Sequence, residues 1–344
     1  MRSGIIIMLV TPVLLSSFKQ KYFQCYSCLR CKAFFKRTIS LCIKHSCSQQ
    51  GKCFDNISER SRMPHCKQCR YFKCLEKGMS MTLDRLSESI FYEEGTLGYV
   101  IGVLRYLDCQ RKVRLERKMC FENPSLEDIV HRNRIRVIDQ GPNYQKSVED
   151  WGFFQLYTTV EFLMNLEFMT RLSVEEKLVL IKPFTAKASL LFTCHRSFKM
   201  KSAHMLTPSK EEVAPDALTK EGVPLEFLEI IRSRLIGKLI ELNIGDEEFL
   251  LLLSLLFCNP LQGLCEVSKE LVETERQYFA SSLQLHCELT HGKKGQERYM
   301  ELLNISSALL KSMDEVEELA TLVTIYRMEH NKPLVCKRLH IDVV

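Results

Sequence analysis

Cys28-Leu29-Arg30-Cys31-Lys32-Ala33-Phe34-Phe35-Lys36-Arg37 is the stretch that decides how this chain folds. A Cys-x2-Cys pair opens directly onto basic and aromatic residues with no Gly or Pro among them, which predicts a helix over Leu29–Leu41. Two thiols from one tight turn are half of a tetrahedral zinc site. The helix then starts at the edge of that site, with cationic side chains suited to a polyanion.

Working outward, Cys47-x5-Cys53 and Cys66-x2-Cys69 follow in the same basic segment. Cys47, Cys53, Cys66 and Cys69 supply the four sulfurs that zinc requires. In an oxidising compartment the same spacing would serve as a disulfide framework, but clustered pairs in a basic module favour the metal. The first cluster has only Cys28 and Cys31 as a good pair. Cys25 could add a third ligand and Cys42 or His45 a fourth; otherwise Cys25 and Cys42 are bystanders. A second helix is expected over Lys67–Lys77, with Gly78 past its C-terminus, and the polar stretch 46–63 reads as loop.

Charge divides the chain. Residues 18–85 carry 15 Lys/Arg against 4 Asp/Glu, whereas the rest carries 33 against 38. Only the first part therefore has the field of a nucleic-acid binder. Of the 16 cysteines, nine lie between Cys25 and Cys74, and the others sit singly in apolar helical surroundings, as reduced core cysteines do. Residues 1–21 form an apolar leader. Ile5–Val10 and Leu14-Leu15-Ser16-Ser17 resemble a short signal peptide, although Pro12 breaks the run and it is too short to span a bilayer. Residues 86–124 read as a hinge, in which Arg105, Arg111, Lys112, Arg114, Arg117 and Lys118 are either a solvated helical face or a nuclear-import or phosphate-contacting run.

Beyond Pro124 the pattern is helical, with three- and four-residue apolar spacing near 149–170, 174–199, 224–242, 246–257, 266–289, 296–311 and 313–330. Phe249–Phe257 is apolar on nearly every face and predicts a central buried helix. Pro183 predicts a kink or restart. The chain contains no GxGxxG, phosphate loop, HExxH, GxSxG or deaminase signature, and its histidines are dispersed, so an enzyme is not expected.

The cysteine module, together with Cys66-Lys67-Gln68-Cys69-Arg70-Tyr71-Phe72-Lys73-Cys74-Leu75-Glu76-Lys77-Gly78-Met79, resembles the DNA-binding domain of nuclear hormone receptors. Phe168–Lys182 is similar to the segment joining helices 3 and 4 of their ligand-binding domains, with Glu176-Lys177 standing where the family prefers Asp-Gln. The resemblance implies a small α-rich module of C4-type zinc fingers at 22–85, then an all-α layered ligand-binding domain at 125–344. It implies zinc on Cys28, Cys31, Cys47, Cys53, Cys66 and Cys69, and a first helix in the major groove. Leu29, Arg30 and Ala33 would set half-site choice, while Lys32, Lys36, Arg37, Arg70 and Lys73 would face bases or phosphates. Cys74 would be a core residue and not a ligand.

The expected protein is a nuclear transcription regulator with DNA, a receptor dimer partner and coregulators as partners, a lipophilic ligand in the helical domain, and no membrane association. Its ligand-binding residues are not legible. The family also carries a Cys-x2-Cys pair some 13 residues before Cys28, where this chain has its apolar leader, and the Cys53–Cys66 loop is about three residues longer than usual. Either half of the first finger is lost, or the start of the sequence is a mis-predicted gene model. A receptor-like dimerisation partner that no longer reads DNA is therefore the alternative. Asp342 within Leu339–Val344 stands where the family has an activation helix.

Overall fold

The computed structural model describes residues 20–22, 25–40, 43, 45–49, 53, 65–81, 96–120, 122, 124–131, 135–140 and 144–330. The leader up to residue 19, most of the 46–63 loop and Leu339–Val344 lie outside the described residues. Two units are distinguished, one ending at Arg117 and one beginning at Lys118.

The first unit opens with an antiparallel hairpin, β1 (Gln20–Tyr22) and β2 (Cys25–Ser27), followed by α1 (Leu29–Ser40) and α2 (Lys67–Glu76). Cys31, Phe34, Phe35, Thr38 and Ile39 are all at most 8% exposed. They recur at helical spacing, so one stripe of α1 is core. Cys66 caps α2 with its sulfur, and Gly78 takes φ +84° just past the helix end, a conformation glycine adopts without a Cβ clash.

The segment expected as a hinge instead holds α3 (Leu97–Arg117), which packs on α2 and α1 within the same unit. Two features explain the difference. Tyr99, Val100, Val103, Leu104, Tyr106 and Leu107 are buried, and Met81 N–H donates to the Tyr106 hydroxyl at 2.8 Å. Part of the basic run is also paired internally: the Asp108 carboxylate accepts from Arg111 at 2.9 Å and pairs with Lys112 Nζ at 2.6 Å. Burial works to raise the Asp108 pKa, but Lys112 and Arg111 hold it down at about 2. Arg111, read as part of a solvated or phosphate-contacting run, is itself buried.

The second unit begins with an antiparallel pair, β3 (Lys118–Cys120) and β4 (Val137–Asp139), and is otherwise helical among the described residues. Its helices are α4 (Leu126–Val130), α5 (Val148–Met164), α6 (Val174–Lys199), α7 (Leu225–Leu242), α8 (Asp246–Phe257), α9 (Glu266–His291), α10 (Gly295–Leu303) and α11 (Ile305–Glu329). Three of them start in capping boxes: Ser125 with Asp128, Ser147 with Asp150, and Ser173 with Glu176.

The all-apolar stretch is α8, placed against both α6 and α9. Phe249, Leu250, Leu251, Leu252 and Leu253 are each at most 3% exposed. Phe162, Phe192 and Phe249 form a chain of edge-to-face rings at 5.3 and 5.6 Å. At the end of α8's first turn, Arg298 from α10 donates to both oxygens of the buried Glu248 carboxylate, at 2.8 and 2.7 Å, and to Leu242 O at 2.7 Å. Gly295 permits the close turn between α9 and α10, since a Cβ there would sit 2.5 Å from the Glu288 backbone.

Two helix ends differ from the expected pattern, and the alternatives at Pro183 are narrowed. The helix near 149–170 ends at Met164, and Glu167–Arg171 is a 3-10 turn that brings Phe168 and Met169 into the core. The last break falls at Asn304, between α10 and α11, and not near residue 312. Pro183 lies inside α6 without a restart. An interior proline costs about 3 kcal/mol, but Leu180, Ile181 and Phe184 are buried around it and tie the helix to the core on both sides.

Candidate metal centre and nucleic-acid interface

The Sγ atoms of Cys47, Cys53, Cys66 and Cys69 all lie within 4.8 Å of one another. Cys47 Sγ is 3.5 Å from both Cys53 Sγ and Cys69 Sγ. Cys66 and Cys69 are brought together by the first turn of α2, where Cys69 N–H donates to Cys66 Sγ at 3.5 Å. Burial pushes the Cys69 thiol up, and the contact with Cys47 pushes Cys53 up. Four thiols held this close are a site that a divalent thiophilic cation can fill by taking all four as thiolates. The donor set fits zinc: four sulfurs, no open position, and a structural role.

Cys28 and Cys31 are not part of that cluster. Among the described residues they join no group of three or more ligand atoms at metal-binding separation. Cys31 is buried, and contacts with Cys74 and then with Arg70 and Cys28 bring its thiol down to about 5 against the effect of burial. Arg70 Nη2 donates to Cys31 Sγ at 3.5 Å, and its guanidinium lies 4.5 Å from the Phe34 ring centroid. Cys74 is 1% exposed, a core position as the resemblance implied.

The eight residues expected to face DNA divide by position. Leu29, Arg30, Ala33, Lys36 and Arg37 are exposed on α1, opposite its buried stripe, and Lys32 is half-buried. Spacings of three and four residues put the exposed five on one face of the helix. Arg70 is turned between α1 and α2 as described above. Lys73 on α2 pairs with Glu76 at 2.9 Å. The outward face of α1 is thus a compact cationic surface with two small or apolar positions.

The sequence reading missed the stack formed by Arg70, Phe34 and His45. Phe34 and His45 lie 5.7 Å apart with planes at 15°, and His45 Nε2 is 3.1 Å from Thr38 Oγ1. In the sequence His45 stands as a possible ligand and Arg70 as a DNA contact, and positions 34, 45 and 70 are too far apart for any local spacing to link them. In the second unit a groove of about 600 Å³ opens between α8, α9, α10 and α11, lined by Leu255, Cys258, Arg276, Ala280, Tyr299 and Leu303 among others. Among the described residues, no helix is long and apolar enough to cross a membrane.

Comparison with known proteins agrees with this architecture. The family model described as the ligand-binding domain of nuclear hormone receptor matches residues 142–326, and that of the double treble clef zinc finger, C4 type, matches residues 16–81. Among curated proteins the chain is similar to nuclear hormone receptor family member nhr-9 of Caenorhabditis elegans, 28% identical over 304 residues, covering 87% of this chain and 86% of that protein. It is also 29% identical over 309 residues to family member nhr-167 of the same organism, covering 88% of each.

Proposed function

The chain belongs to the nuclear hormone receptor family, and from that premise we propose that α1 lies in the major groove of DNA and that Arg30 and Arg37 anchor it. The protein is a transcription factor with a C4 zinc-finger DNA-binding domain and a helical ligand-binding domain, in a family whose work is binding and not catalysis. One observation carries the proposed role of α1: its five exposed residues form a single stripe, with Phe34 and Phe35 buried behind it. A helix held rigid from behind and cationic in front is what groove reading requires. Arg suits guanine O6/N7 or phosphate, and Leu29 and Ala33 add apolar contacts to base edges.

The same premise supports Cys47, Cys53, Cys66 and Cys69 as zinc ligands, a nuclear location, and partners that include a second receptor, coregulators and a lipophilic ligand. The test is to select duplexes from a random library with the zinc-loaded full chain, then measure affinity by fluorescence anisotropy across a salt series. Arg37→Ala and Arg30→Ala should each weaken binding about tenfold to a hundredfold, as expected for loss of one good base or phosphate contact. Equal affinity of both variants and the parent would overturn the assignment.

One observation favours a second reading, a dimerisation partner that does not read DNA: residues 1–24 contain no cysteine to complete a set with Cys28 and Cys31. Co-association with an intact receptor, without selectable duplexes for this chain alone, would decide for it.

A further inference from the structure

We infer that this module binds one zinc ion and not two, and that a cation–aromatic stack around Cys31 ties α1 to α2. The inference rests on the zinc-module reading, and is independent of what α1 contacts.

Two sets of thiols in the same unit behave differently. Around Cys69 four sulfurs converge within 4.8 Å. Around Cys31, among the described residues, no third ligand atom joins Cys28 and Cys31 at such separations, although Cys25 and Cys74 are in the neighbourhood. Zinc in a structural site needs four ligands, so the described residues furnish this half of the module poorly for it; Cys42, the other candidate from the sequence, lies outside the described residues. What Cys31 has instead is a cation supplied by the protein. Arg70 Nη2 donates to its sulfur at 3.5 Å, and the same guanidinium rests 4.5 Å from the Phe34 centroid. Phe34 stacks with His45, whose Nε2 reaches Thr38 Oγ1 at 3.1 Å.

The chain of contacts therefore runs from α2 through Arg70 to Cys31 and Phe34 on α1, then to His45 in the following segment, and back to Thr38 on α1. A guanidinium suits the position because it can donate to sulfur and lie over an aromatic face at once, which an ammonium cannot do with the same geometry. Phe35 against Tyr71, with ring centroids 5.7 Å apart, adds a second tie between the same two helices. This reassigns Cys28 and Cys31 away from zinc, and Arg70 away from DNA.

The experiment is native mass spectrometry of the full chain produced with excess zinc, alongside Cys28→Ser, Cys53→Ser and Arg70→Gln. The parent should carry one zinc, Cys28→Ser should still carry one, and Cys53→Ser should carry none. Arg70→Gln should keep its single zinc while its thermal midpoint drops by about 4 °C, the shift expected when a small unit loses a modest interaction. Two zinc ions on the parent, or loss of zinc from Cys28→Ser, would overturn the single-site inference. An unchanged midpoint in Arg70→Gln would overturn the role given to the stack. Zinc count does not depend on DNA, so failure here and failure of the proposed groove reading are separate results.

Discussion

The region around α1 and α2 and the region around α8 are both built of helices, yet different forces hold them. Behind α1 the buried stripe consists of Cys31, Phe34, Phe35, Thr38 and Ile39, and the four-thiol cluster stands at the start of α2. Around α8, residues 249–253 are all buried and flanked by α6 and α9, with a bidentate ion pair at one end. A unit of about a hundred residues with a thin apolar layer gains much of its folding energy from metal ligation. A helical unit twice that size gains it from area removed from water. The comparison teaches that the surface expected to touch DNA is conditional on an ion, whereas the helical scaffold is not.

The largest effect should come from Cys66→Ser. Serine keeps an oxygen able to cap α2 through Cys69 N–H, so the substitution removes the metal ligand and leaves the cap. Loss of zinc by mass spectrometry, together with loss of duplex binding, is the expected outcome. A variant that keeps both would show that the cluster is not structural.

Arg298→Met probes the other region. It leaves the Glu248 carboxylate, 3% exposed, without its fork of donors. Gly245 N–H at 2.8 Å and His291 Nε2 at 3.2 Å still face the carboxylate, so a cost of about 3 kcal/mol, the lower end for breaking a buried pair, is expected, to be read as a lower urea midpoint with zinc content unchanged. The smallest effect is expected from Ser173→Ala, which removes the hydroxyl that accepts from Glu176 N–H at 3.2 Å. Losing this cap should lower stability by about 1 kcal/mol, again confined to the second unit's transition in a denaturant titration.

Much of this contrast was legible in the residues themselves. The Cys-x2-Cys pairs and the breaker-free Leu29–Leu41 run announced the module, and the unbroken apolar Phe249–Phe257 announced the central helix. The helix ends were harder to see, because periodicity does not record where packing stops. The break at Asn304 lies within a continuous apolar pattern, and the turn after Met164 exists to carry Phe168 and Met169 inward. The hinge reading has an electrostatic weakness: a count of Lys and Arg from 105 to 118 leaves out Asp108, whose single carboxylate pairs with two of them at i+3 and i+4 and turns them inward. Within the site, the outward stripe of α1 followed from spacing. The inward turn of Arg70 did not, since nothing in a linear sequence says that a cation will find a sulfur and a ring on another helix.

The most direct measurement is hydrogen–deuterium exchange on the full chain before and after a zinc chelator. Protection should collapse across 29–40 and 67–76 while 246–257 and 266–291 keep theirs, because only the first region depends on the ion. Retained protection in α1 and α2 after complete removal of zinc, or loss in α8 along with them, would contradict the division of forces drawn here.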